Sequence, residues 1–254
     1  VLSDRRGAHP AHQEVAMSEP TEAITQPERV HIWFLIDRSG SMSPLRSAVV
    51  DGFREFVSGQ RAKVAESDAL LTLVQFDGDD PYDPLLEACP LAEVPDDAAD
   101  GFAPRGMTPL YDALGDLIST AEDRQLHLVA DGEAPEDEII VVFTDGAENA
   151  STRWSQRQVL DRIAKRRADG WTFVFLGANQ DSYGVARDLG LAHGSTSNYQ
   201  ASSSGTLGAF ASVSRSASSY LSKPSKSARR AQKDDFFEGV KEAEDDSDDG
   251  SGES

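Results

Sequence analysis

Short apolar runs alternate along this chain with longer stretches in which apolar residues recur every three or four positions. Val30 to Ile36 (VHIWFLI) is continuous, β-branched and aromatic, with His31 its only polar member. Leu70 to Phe76, Ile139 to Thr144 and Trp171 to Leu176 are built the same way. Runs of this length without a polar face predict strands buried on both sides of a sheet. Leu85 to Leu91 is weaker and ends at Pro90, so it predicts a short edge strand. Between these runs, helical spacing collects Leu45, Val49, Phe53, Phe56 and Val57 on one face, Leu110, Leu114, Leu117 and Ile118 on a second, and Val159, Leu160 and Ile163 on a third. Ser155 is placed to cap the third helix, and Gly190 closes a short one over Asp181 to Leu189. Thr206 to Leu221 carries Phe210, Val213, Ala217 and Tyr220 among Ala and Ser, which predicts a last helix with a thin, loosely packed apolar face. Ser195 to Ser204 shows no element. Strands alternating with helices predict an α/β fold: a doubly wound, mostly parallel open sheet of about six strands, with helices on both faces.

The ends of the chain differ from its middle. Residues 1–28 are polar and aperiodic and are expected to be disordered, with Met17 an alternative start of translation. Beyond Ser222 a basic stretch (Lys223, Lys226, Arg229, Arg230, Lys233) gives way to ten acids against one Lys from Asp234 to Ser254. This composition predicts a disordered tail over 223–254, with Phe236-Phe237 as its one apolar spot, and leaves 29–222 as the folded domain. The formal charge of −20 opposes binding to nucleic acid or to an anionic membrane. No run reaches transmembrane length, and the start has no apolar core of the kind a secretory signal needs. Cys89 is the only cysteine, so no internal disulfide forms; these features together predict a cytoplasmic protein.

Chemistry concentrates after the first strand. Asp37-Arg38-Ser39-Gly40-Ser41 places one carboxylate and two hydroxyls on a tight loop at a strand's carboxyl end, where open α/β sheets bind ligands. Such hard oxygen donors suit Mg²⁺ or Mn²⁺ rather than zinc. This D-x-S-x-S loop resembles the metal-ion-dependent adhesion site (MIDAS) of von Willebrand factor A (VWA) domains. In that family a Thr and a second Asp from two later loops complete the site. Thr108, in Gly106-Met107-Thr108-Pro109-Leu110, and Asp145, after the strand Ile139 to Thr144, fit those places. The resemblance covers about Val30 to Leu221 and is to stand-alone bacterial-type VWA proteins. It implies the strand order 3-2-1-4-5-6, a Mg²⁺ (or Mn²⁺) site formed by Asp37, Ser39, Ser41, Thr108 and Asp145, and a non-catalytic role in complex assembly or stress response. The implied partner is a protein presenting an Asp or Glu to the metal.

Two other classes compete. An Asp at a strand end beside Mg²⁺ also describes phosphohydrolases with an aspartyl nucleophile, but Ser39 stands where one large family keeps its general acid, and no later strand end offers a phosphate-clamping Lys. Some VWA domains sit in ribonucleoproteins, yet the one basic cluster here is followed at once by acids. Nearby residues are assigned passive roles. Arg38 is read as solvated, Asp112 and Asp116 as helix surface with Asp112 in reach of the metal's surroundings, and Asp77 to Asp83 as a solvated turn that does not match an EF-hand loop. Trp154 is read as a hydrophobic staple before the third helix.

Overall fold

The computed structural model describes residues 29–61, 68–178 and 182–237. Six strands form one sheet: β1 (Val30–Asp37), β2 (Ala69–Phe76), β3 (Asp83–Pro90), β4 (Asp137–Thr144), β5 (Thr172–Ala178) and β6 (Thr196–Tyr199), in the order β3-β2-β1-β4-β5-β6. Every pairing is parallel except β2 with β3, which is antiparallel with shifts of register. The expected order, the antiparallel edge pair and the central β1–β4 pair are all present. β6, a polar strand over which no element was expected, docks by backbone pairing to β5.

Helices cover both faces. α1 (Arg46–Arg61) and α5 (Ser203–Leu221) pack with Phe34, Ile36, Leu71 and Leu73 on one side. On the other, α2 (Leu110–Ala130), α3 (Gln156–Ala168) and α4 (Ser182–Asp188) pack with Trp33, Leu35, Val74 and Val142. Alternate residues of β1 thus enter separate cores, which explains why its sequence has no polar face. α3 begins with a reciprocal capping box between Ser155 and Gln158.

Two expectations are corrected. α5 is not loosely packed: it buries Ala209, Phe210, Val213, Ala217 and Tyr220. It packs closely on α1, whose Gly52 makes room for Phe210: a Cβ on Gly52 would lie 2.5 Å from the Phe210 ring. The folded unit also continues past Ser222. Lys226–Ala231 forms a short helix, α6, whose Arg229 donates to the buried Asp137 carboxylate at 2.6 Å. Phe236 and Phe237, assigned to a disordered tail, are 2% and 1% exposed and belong to the α1/α5 core. The helical spacing that would have flagged this segment is absent because it is a single turn followed by two consecutive core residues. Residues 1–28 and 238–254, with the possible start at Met17, lie outside the described residues.

Candidate metal centre

Three carboxyl-end segments converge beside β1 and β4, the point at which chain connections leave in opposite directions across the sheet. Asp37 ends β1 fully buried. Its Oδ1 accepts from the Ser39 backbone N–H at 2.7 Å and its Oδ2 from the Thr144 hydroxyl at 2.6 Å. Ser39 Oγ and Ser41 Oγ are 3.0 Å apart, and Ser41 Oγ donates to Asp145 Oδ1 at 2.7 Å. Thr108 is buried just ahead of α2, which is capped by Pro109 without a side-chain bond, so the Thr108 hydroxyl does not serve as the helix cap. Its backbone is held by Asn149, whose Oδ1 accepts from Thr108 N at 2.9 Å and whose N–H donates to Thr108 O at 3.1 Å.

Gly146 shows that these groups surround one space. A Cβ built on it would lie 3.1 Å from Thr108 Oγ1, 3.7 Å from Asp37 Oδ2 and 3.9 Å from Ser41 Oγ. The void kept by its missing side chain is therefore walled by oxygens from all three segments. Burial pushes the Asp37 carboxyl up to about 6 against the bonds from Thr144 and Ser39, with the Asp145 charge adding to the rise. Burial raises Asp145 as well. A hard cation fits this donor set: it would relieve two desolvated carboxylates and be met by oxygen ligands alone.

Arg38 does not neutralise them. It is 4% exposed rather than solvated, and its guanidinium turns away to Asp77 Oδ2 and Asp83 Oδ2, each at 2.5 Å. Asp77, expected in a solvated turn, is fully buried. It also takes Arg105 Nε at 2.7 Å and the backbone N–H groups of Asp79 and Asp80. Asp112 is likewise buried rather than on the helix surface. Its carboxylate accepts from the N–H groups of Thr152, Arg153 and Trp154, folding the loop after Asp145 back onto α2. Trp154 packs over Gly115, donates to Asp116 and lies under the Arg162 guanidinium. The residues that converge here were expected from sequence and this bracing was not, since an acid that receives backbone N–H groups looks in sequence like any surface acid.

A second cluster lies at the opposite, amino end of the same strands. Donor atoms of His31, Glu136 and Glu138 fall within 4.8 Å of one another, a spacing that one divalent cation could bridge. Here they are engaged by protein. Arg124 grips both oxygens of Glu136 at 2.7 Å. His31 joins Glu136 at 3.2 Å to Thr72 at 2.8 Å. Trp33 Nε1 donates to Glu138 at 2.6 Å, and Gln125 bonds its other oxygen. Residues 136–138, expected in a charged connector, are thus buried at the start of β4.

No family model matches the sequence, and no curated protein matches it. Solved structures do. Proximal thread matrix protein 1 from the mussel byssus aligns at a TM-score of 0.55 and 16% identity, over 75% of this chain and 46% of that one. The pilus adhesin SpaC of Lactobacillus rhamnosus GG aligns at 0.59 and 12%, over 78% and 31%. The vWF domain of the type V pili tip protein Mfa5 of Porphyromonas gingivalis aligns at 0.54 and 10%, over 80% and 99%. This is a VWA-type fold. The chain spans less than half the length of the byssus and SpaC structures, and nearly all of the Mfa5 domain. The VWA site of the byssus protein is described in one form as a zinc-occupied MIDAS motif. None of these three proteins is named as an enzyme. They also overturn the cytoplasmic expectation: a byssus matrix protein and pilus proteins share this VWA fold and work outside the cell. A lone cysteine excludes an internal disulfide in any compartment, so it carried no weight as an address.

Proposed function

We propose that this VWA domain is a non-catalytic, Mg²⁺-dependent (or Mn²⁺-dependent) protein-binding module. Asp37, Ser39, Ser41, Thr108 and Asp145 hold the cation, and an Asp or Glu of a protein partner completes its shell. The observation that carries this is the oxygen-walled space at Gly146, reached by two carboxylates that no basic side chain neutralises among the described residues. When bound, the cation supplies a positive centre able to take a further carboxylate. The chain's own residues do the rest. Asp37 and Asp145 provide charge, and the hydroxyls provide neutral oxygens. Arg38, held by Asp77 and Asp83, keeps the serine loop in place while leaving the cavity free of a competing cation. Two carboxylates leave a dication with little local excess of negative charge, so a third carboxylate is attracted rather than repelled. The all-oxygen donors favour Mg²⁺ or Mn²⁺ over zinc. A hydrolase reading has less support, because no Lys or His bonds to Asp37 among the described residues.

The test is thermal melting against Mg²⁺. Ligand binding to the folded state should raise Tm by mass action, and Asp37→Ala should remove the rise. A wild-type protein whose Tm is unmoved by millimolar Mg²⁺ and Mn²⁺ would refute the metal site.

A further inference from the structure

We infer that Thr144 is a positioning residue for the metal site: its hydroxyl fixes how Asp37 meets the cation, and so which cation fits. This rests on the metal-site reading above, in which Thr144 is not one of the five residues around the ion. β1 and β4 run parallel with Ile36 opposite Phe143, so the next residues along them, Asp37 and Thr144, stand side by side. Thr144 is 2% exposed, which leaves its hydroxyl to find its partners within the protein. The one hydroxyl proton has two oxygens in reach, Asp37 Oδ2 at 2.6 Å and the Gly146 carbonyl at 3.1 Å. The shorter contact, to a charged acceptor, takes it. Thr144 Oγ1 then accepts from the Gly146 N–H at 3.1 Å. A short relay thus runs from the loop that carries Asp145 to the carboxylate of Asp37.

The oxygen held in this way is the one that faces the cavity, since a Cβ on Gly146 would lie 3.7 Å from Asp37 Oδ2. A carboxylate oxygen has two lone-pair sites, so a bond from Thr144 leaves the other to offer a cation. Oδ1 is held in turn by the Ser39 N–H at 2.7 Å. With an oxygen tied on each side, the carboxylate is not free to rotate and present both oxygens to one ion. The tie itself is stiff. Threonine is branched at Cβ and restricted about χ1. Its backbone pairs with Gly177 of β5, and its carbonyl accepts from the Tyr199 hydroxyl at 3.3 Å. Mg²⁺ demands near-ideal octahedral positions, whereas Ca²⁺ accepts irregular shells and carboxylates that bind through both oxygens. A carboxylate locked in rotation therefore favours the smaller ion.

The experiment uses the full chain and Mn²⁺, which shares the octahedral oxygen preference of Mg²⁺ and whose free ion is read by electron paramagnetic resonance. Binding by the Asp37→Ala chain supplies the background to subtract. Thr144→Val keeps the shape and branching of the side chain and removes the hydroxyl; it should weaken Mn²⁺ binding roughly ten- to a hundredfold. Thr144→Ser keeps the hydroxyl and should recover most of that loss. Ca²⁺ titrated against bound Mn²⁺ should release it at a smaller excess from Thr144→Val than from the wild type. Cooperative melting without metal shows that each variant is folded, and Thr144→Ala, which removes the same hydroxyl with less bulk, must repeat the valine result. Wild-type affinity in Thr144→Val, a serine variant no better than the valine one, or an unchanged response to Ca²⁺ would each overturn the inference and leave the metal reading standing. A wild-type chain that binds no more Mn²⁺ than Asp37→Ala removes both.

Discussion

At the scale of the residue, the cavity of the candidate site depends as much on a missing side chain as on the oxygen-bearing residues around it. Gly146 has no left-handed φ to require glycine, so Ala is compatible with its backbone; what Ala would change is the space its Cβ enters. Gly146→Ala is expected to leave the metal-free Tm within a degree or two of wild type and to weaken or abolish the Mg²⁺-induced rise. Isothermal titration with Mg²⁺ checks the second half directly. That Asp37, Ser39, Ser41, Thr108 and Asp145 come together was legible because their types, order and strand-end positions are written in sequence. Gly146 was not, because a glycine after a strand reads as a turn. Arg38 and Asp77 were misread for a related reason: their burial follows from pairing with each other across β1 and β2, and sequence gives no sign of which charges meet.

At the scale of the element, the four strongest strands and the amphipathic helices declared themselves because each buries an apolar run or stripe. β6 and α6 did not, since both are held by neighbours rather than by their own pattern. β6 is secured by pairing to β5, and α6 by the Ser225 cap, the Arg229–Asp137 ion pair and Lys226 donating to the Pro135 and Glu136 carbonyls. The phenylalanines after α6 complete a core, with Phe236 beside Tyr220 of α5 at 6.2 Å between ring centroids. Phe237→Ala should therefore cost about 3–5 kcal/mol of stability, and a chain ending at residue 222 should lose more. Urea denaturation of both variants measures this; a truncated chain with the wild-type midpoint would return the boundary to 222.

At the scale of the whole molecule, the two ends of the sheet carry opposite kinds of acid. The candidate metal centre occupies the carboxyl end, and a buried, hydrogen-bonded polar network occupies the amino end. Within that network neighbouring acids diverge. Burial disfavours a charge on Glu136, but Arg124 and His31 outweigh it and hold the carboxyl near 2. Burial pushes Glu138 up to about 8, beyond what Gln125 and Trp33 offset. Glu138 thus keeps its proton in the folded state where the unfolded chain has lost it, above roughly pH 4.5. Stability from this group falls as pH rises toward 8, with a slope of at most about 1.4 kcal/mol per pH unit. His31, lowered by burial, works in the opposite direction below its ordinary value of 6.5, so the Glu138 effect stands clear between pH 6.5 and 8. The wild-type midpoint in urea should decline over that window and the Glu138→Gln midpoint should stay level. The Glu136 ion pair, by contrast, contributes in full above about pH 4.5 and is lost as pH falls toward 2. The burial of Phe236 and Phe237 also sets a clock on biosynthesis. The central strand begins at Val30, yet the core it enters closes only when residues some two hundred positions later arrive. At about 5–20 residues per second, a ribosome leaves that core incomplete, and its apolar surface open to water, for roughly 10–40 s.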